Sequence, residues 1–268
     1  MPVIQSVDRA LRILDLFDEH TPELKITDIS NRLELHKSTV HSLLKTLLNH
    51  GYISQNPDNG KYGLGMKLFE RGNYVIQSLD VRGLSKKYLM DLSVKTGQTA
   101  HLVILDGKEG VYIDKVEGPM AVILYSKIGK RIPLHCSAVG KALIAFKNQE
   151  EIKQILNEYD YFKQTEFTIT NEAEFLHELQ QVQSQGYAVD NQENEPGVRC
   201  IAAPIRNHEN KVIAAISLST LIARVDDAQL EIFSKQLKQT AFQLSEQMGM
   251  GYQFHKCGSL LFCPYIKT

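Results

Sequence analysis

A chain of 268 residues with 43% hydrophobic residues, 17 glycines and 8 prolines can fill two packed domains and does not read as disordered or fibrous. The longest apolar run, 212–223, is too short for a bilayer and broken by serine and threonine, and the opening MPVIQSVDRALRIL lacks the apolar core of a signal peptide, so a cytoplasmic protein with no membrane partner is expected. The formal charge of -1 conceals an asymmetry: residues 1–31 carry six acids against three cations, whereas 32–67 carry five cations against two acids. Four cysteines, Cys136, Cys200, Cys257 and Cys263, are too few and too scattered for a disulfide framework and read as free thiols.

Residues 6–17, SVDRALRILDLF, space Val7, Ala10, Leu11, Leu14 and Phe17 by three and four, which predicts a helix with one buried stripe. A second helix is expected from Thr27, whose hydroxyl would cap the first turn, with Ile29 and Leu33 inward. A third begins near Ser38 after a tight turn. Its apolar sector holds Val40, Leu43, Leu44, Leu47 and Leu48; the opposite sector holds Ser38, Ser42, Lys45, Thr46 and Asn49. A solvated helix would carry glutamate and lysine pairs, yet no carboxylate occurs anywhere from 37 to 55. A groove lined by phosphates excludes carboxylates on Coulombic grounds, so this face is expected to meet duplex DNA. Residues 52–54 and 61–64 then read as two strands around the turn Asn56-Pro57-Asp58-Asn59-Gly60, with Lys61 placed for a phosphate. Three helices and a hairpin make an otherwise all-α winged helix-turn-helix over 1–64. Lys37, Ser38, Thr39, Ser42, Lys45, Thr46 and Lys61 are its candidate DNA contacts.

The run RALRILDLF, the segment ITDISNRLELHKSTVHSLLKTLLNHGYI and the wing ending KYGLG resemble the N-terminal domain of the IclR family of bacterial transcription regulators. Ser42 departs from the family, which commonly has arginine there, so Lys45 or Lys37 would take over the phosphate contact.

A linker helix is expected over 65–81, with Leu68, Phe69, Val75, Ile76 and Leu79 on an apolar side, followed by a helix over 82–96 bearing Leu84, Tyr88, Leu89 and Leu92. An apolar connector in a groove-reading protein points to a second copy, because a two-fold dimer matches two half-sites of a palindromic operator. From Thr99 onward, short β-branched runs (AHLVILDG, GVYIDKVEG, AVILYSKIG, VRCIAAPIRN and VIAAISLST) read as strands. Helices are expected over 138–147, 150–159, 172–185 and 226–248. Hairpin-linked strands with helices grouped apart give an α+β domain over 82–248 with a largely antiparallel sheet.

In that domain GKRIPLHCSAVGKALIAF places small residues at a helix start, where free amides can hold a carboxylate; GxxxxGK[ST] is absent, which excludes a P-loop. Ser217 and Ser219, two apart on an apolar strand, face one side; Cys200 lies on the neighbouring strand, and Asp190 and Glu193 sit in the polar loop DNQENEPG that leads into it. These groups could line one pocket. IPLHCSAVGKALIA, DNQENEPGVRCIAAPI and AISLS also resemble the GAF-like effector-binding domain of the same family, and the similarity runs from about residue 4 to 248. The resemblance implies ligand contacts from the amides of Ala138 and Val139 and the side chains of Asp190, Cys200, Ser217 and Ser219, and a small organic acid as effector. Two acids and two serines without a nearby aromatic cluster favour a hydroxylated carboxylate such as a keto sugar acid. No cofactor is expected. Residues 249–268 depart from the family and read as a loosely ordered tail, since Cys257, Cys263 and His255 make poor zinc spacing.

Two other functions compete: acyl transfer with Cys200 as nucleophile and His135 as base, and sequence-neutral DNA packing. Neither accounts for both domains. A ligand-controlled repressor, dimeric or a dimer of dimers, does.

Overall fold

The computed structural model describes residues 3–18, 20–77, 80–120 and 126–250, and the chain divides into two units, Met1–Leu79 and Asp80–Thr268. The first contains α1 (Gln5–Leu14), α2 (Ile26–Leu33), α3 (Lys37–Asn49), β1 (Ile53–Gln55), β2 (Tyr62–Leu64) and α4 (Met66–Gln77). Its core joins Ile13, Phe17, Leu24, Ile29, Leu33, Val40, Leu44, Leu47 and Ile53. On α1 the inward stripe is Ala10, Ile13, Leu14 and Phe17, while Val7 and Leu11 are exposed. Both sets fit helical spacing and share Ala10, Leu14 and Phe17; the core takes Ile13 in place of Val7 and Leu11.

The second helix begins one residue before Thr27. The backbone amide of its N-cap, Lys25, donates to the Asp28 carboxylate at 3.1 Å, and Thr27 sits inside the first turn rather than capping it. Glu34 then takes the left-handed conformation (φ 55°), the Leu35 amide donates to Ser30 O at 3.1 Å, and the Ser30 hydroxyl returns a bond to Leu35 O at 2.5 Å. This turn sets the third helix, which starts at Lys37 with Ser38 in its first turn. Val40, Leu44 and Leu47 are buried there, Leu43 is half-buried and Leu48 is exposed. The two short wing strands pair antiparallel, and Leu24 bridges Tyr62 beside them.

The second unit is built on one sheet: β3 (Thr99–Asp106), β4 (Glu109–Val116), β5 (Arg131–Pro133), β6 (Ala188–Asn191), β7 (Val198–Arg206) and β8 (Val212–Leu221). Their spatial order is β5-β4-β3-β8-β7-β6, and every neighbouring pair is antiparallel. The helices are α5 (Asp80–Thr96), α6 (Ala138–Ile144), α7 (Gln149–Leu156), α8 (Glu172–Gln185) and α9 (Asp227–Gln247). Two-residue alternation sends Val103, Ala202 and Ala215 toward α6 and α8, while Leu102, Ile201 and Ile216 face the other side, where α5 and α9 pack. Within α5, Leu89 and Leu92 are buried but Leu84 is exposed.

The structure departs from the sequence reading at several places. Of the strand expected over 121–129, residues 121–125 lie outside the described residues and 126–129 form no strand. β5 arises in a segment for which the sequence predicts no strand, and β6 contains Asp190, which the sequence places in a loop; both are short edge strands whose pairing supplies what their own residues do not signal. The linker expected over 65–81 is occupied by α4 and the first residues of α5, and the side chains of Val75, Ile76 and Leu79 lie outside the described set. So does the tail from residue 251, including its cysteines and histidine.

α6 owes its close seat to Gly140. A Cβ there would come within 2.4 Å of Leu134 Cα and 2.6 Å of its carbonyl oxygen, atoms that cannot yield without moving backbone. Gly140→Ala should lower stability by about 3 kcal/mol, whereas Gly72→Ala, with nothing within 4 Å of the added carbon, should raise helix stability by about 0.5–1 kcal/mol. Thermal melts of the two variants check the contrast.

Candidate functional site

The outer face of α3 carries Lys37, Ser38, Ser42, Lys45 and Thr46 exposed and Thr39 half-buried. The Ser42 hydroxyl donates to Ser38 O at 3.1 Å and the Thr46 hydroxyl to Ser42 O at 3.0 Å, so both protons are turned into the helix and lone pairs face outward. Lys61 stands half-buried at the start of the returning wing strand. The α3 surface is therefore cationic and hydroxylic, with no acid among its residues.

In the second unit a cavity of about 300 Å³ opens between the sheet, the start of α6 and the segment after β6. Antiparallel register lines up three of its polar groups: Ser219 lies opposite Cys200, and Cys200 opposite Asp190. The Cys200 thiol donates to Ser219 Oγ at 3.2 Å. Burial, reinforced by the charge of Asp190, pushes that thiol far above its ordinary range, while the Ser219 bond opposes the shift. Asp190 is buried, and its Oδ1 accepts the backbone amides of Glu193 at 2.7 Å and Asn194 at 3.3 Å. Burial first, and the charge of Glu193 second, raise its carboxyl to about 7, against the pull of those bonds and of Lys141.

Ser217 lies opposite His101, whose Nδ1 is 3.5 Å from Ser217 Oγ and whose Nε2 is 2.8 Å from Ser126 Oγ. Burial and the nearby Lys115 depress this ring to about 3, so it stays neutral. At the other wall Ser137 caps α6: its hydroxyl accepts the Gly140 amide at 3.1 Å and donates to Pro133 O at 2.5 Å. The amides of Ala138 and Val139, in the first turn beside it, have no acceptor within the helix.

Ala138, Val139, Asp190, Cys200, Ser217 and Ser219 thus line one cavity. Glu193 does not join them. It is buried, and its Oε1 meets the fully buried Lys141 Nζ at 2.6 Å; the same amine donates to Glu178 Oε1 at 2.9 Å and Val189 O at 2.7 Å. The sequence reading puts it in the pocket as a loop acid, but it turns to a lysine 52 positions away. Tyr112, Gln164, Asn194 and Glu195 also line the cavity and were not anticipated. Of these, Tyr112 alone had a signal, the alternation of its strand.

Cys200 and His135 do not form a nucleophile–base pair. His135 Nδ1 contacts the Tyr159 hydroxyl and Nε2 the Phe162 carbonyl oxygen, each at 3.0 Å, while the thiol is bonded to Ser219. Among the described residues, no group of three or more histidine, cysteine or acidic side chains could hold a metal, and no helix is long and apolar enough to cross a membrane.

Residues 6–57 match the IclR helix-turn-helix domain, and residues 73–246 match the family described as bacterial transcriptional regulator IclR C-terminal. Over 249 residues the chain is 57% identical to the HTH-type transcriptional regulator XynR of Escherichia coli K12, covering 93% of this chain and 99% of XynR. It is 38% identical to the regulator KdgR of the same organism, covering 92% and 93% of the two chains. The crystal structure of Thermotoga maritima IclR superimposes with a TM-score of 0.77 at 32% identity, covering 91% of this chain and 99% of that one. With a helix-turn-helix unit followed by a helix-flanked antiparallel sheet, this chain belongs to the IclR family of ligand-responsive, DNA-binding transcriptional regulators.

Proposed function

We propose that this regulator is a repressor that binds a palindromic operator as a homodimer or dimer of dimers and senses a small hydroxylated carboxylate, such as a keto sugar acid. The observation that carries the effector assignment is the polar row Asp190–Cys200–Ser219, with Ser217 beside it, facing the open amides of α6 across one cavity. The amides suit a carboxylate, and the acid and hydroxyls suit ligand hydroxyl groups. Repression is supported by the transcriptional repressor IclR of Escherichia coli, 27% identical over 92% of this chain. A catalytic role for Cys200 has no support in the chemistry: a raised, neutral thiol without an adjacent base is a poor nucleophile. The effector acts by binding more tightly to one of the arrangements that differ in fitness for DNA.

On the DNA side, Lys37, Ser38, Thr39, Ser42, Lys45 and Thr46 of α3 and Lys61 of the wing are the residues assigned to contact. Thr39→Ala should alter preference at individual base positions. Lys45→Ala should instead weaken binding to every sequence and lower the dependence of log affinity on log salt by about one. Titration of both variants against a panel of duplexes separates these effects; uniform weakening by both would show that the contacting face is assigned wrongly.

On the effector side, calorimetric titration of the full chain should show binding by hydroxylated acids and not by benzoate; tight benzoate binding with failure of every hydroxylated acid would overturn the assignment. The pH dependence has a definite sign. Asp190, with its carboxyl near 7, ionises as pH rises through neutrality, and its charge then repels an anionic ligand. Effector affinity should therefore be flat below about pH 6 and fall as pH rises through 7 and beyond, and Asp190→Asn should remove the fall.

A further inference from the structure

Glu23 lies in the loop between α1 and α2, immediately before Leu24, whose backbone exchanges two hydrogen bonds with Tyr62 of the wing at 2.9 and 2.8 Å. Its carboxylate spans the tip of that wing. Oε1 accepts from Asn56 Nδ2 at 3.1 Å and Oε2 from Asn59 Nδ2 at 3.0 Å. Each asparagine uses its other end inside the turn: Asn56 Oδ1 accepts the Asp58 amide and Asn59 Oδ1 the Lys61 amide, both at 2.9 Å. An amide can satisfy both partners only in one orientation, nitrogen toward the carboxylate and oxygen toward the backbone. A single charge from outside the hairpin therefore fixes both side chains and, through them, braces the backbone from 56 to 61, adding to the turn's own bonds from the Asn56 amide to Lys61 O at 2.8 Å, the Gly60 amide to Asn56 O at 2.9 Å and Gln55 Nε2 to Gly60 O at 2.9 Å. Strands of three residues add few further bonds to position the tip.

We propose that Glu23 is a positioning residue for DNA recognition, whose carboxylate locks the wing turn so that Lys61 is delivered to the phosphate backbone. This rests on the assignment of Lys61 as a phosphate contact. The two asparagine bonds, Asn56 first, hold the Glu23 carboxyl below its ordinary range, so the clamp stays anionic at neutral pH. A clamp and simple electrostatics give effects of opposite sign. A carboxylate beside a polyanion is repelled by it, so its removal alone would tighten binding; removal of a clamp loosens it.

The test measures fluorescence anisotropy on a mixed-sequence duplex about three helical turns long over a salt series, using the full chain. Lys61→Ala and Glu23→Gln should each weaken binding about three- to tenfold and each lower the salt slope by about 0.9. The double variant should be no weaker than either alone. Asn59→Ala, which breaks the clamp from the wing side and keeps the Glu23 charge, should reproduce the loss, and it carries the test if Glu23→Gln melts below the assay temperature. Unchanged or tighter binding by the clamp variants, or additive losses in the double variant, would overturn the clamp while leaving Lys61 in place. No effect of Lys61→Ala would overturn both.

Discussion

A lysine with no solvent exposure organises the sensing half of this molecule. Lys141 Nζ is held by Glu178, Glu193 and the Val189 carbonyl oxygen, so it ties α6 to α8, to the end of β6 and to the segment after it. Burial lifts the carboxyl of Glu193 above its ordinary range although Lys141 pulls it down; the carboxylate is kept there by the ammonium and not by water. Removing one partner of such a buried pair costs about 3–5 kcal/mol, because the other is left uncompensated. The main chain of the same segment is fixed independently: the hydroxyls of Thr165 and Thr168 donate to the carbonyl oxygens of Gln192 and Glu193, each at 2.7 Å. That double anchorage places the two amides that cradle Asp190 and sets Asn194 and Glu195 on the cavity wall.

The DNA-facing half uses charge in the opposite way. The sensing half gathers acids and neutralises them by burial or pairing, whereas α3 excludes carboxylates altogether and leaves short hydroxyl side chains and lysines at its surface. Glu23 is consistent with this division, since its two oxygens are occupied by the wing asparagines. Both halves make polar groups specific by fixing them: cavity groups by strand register, wing groups by side-chain amides of defined orientation.

What the sequence disclosed follows the range of the interactions involved. Helical period and turn chemistry are local, so α3, the wing and α8 were legible, and the two-residue period alone put Ser217 and Ser219 on one side of β8. Errors arose where a distant partner decides. The inward face of α1 turns on how it packs against α2 and α3, and β6 exists through pairing with β7. Glu193 reads as a pocket group in the sequence because the lysine that holds it, 52 positions away, gives no local sign of being its partner. Most of the unanticipated cavity residues lie in loops whose side-chain directions depend on the folded whole.

Control of DNA binding by the cavity is checked by measuring operator affinity of the full chain with and without a saturating keto sugar acid, and the affinity of the acid with and without operator. Coupling requires both to change by the same factor, about 5- to 150-fold. Equal affinities in the two arms, with the cavity demonstrably filled, would contradict it.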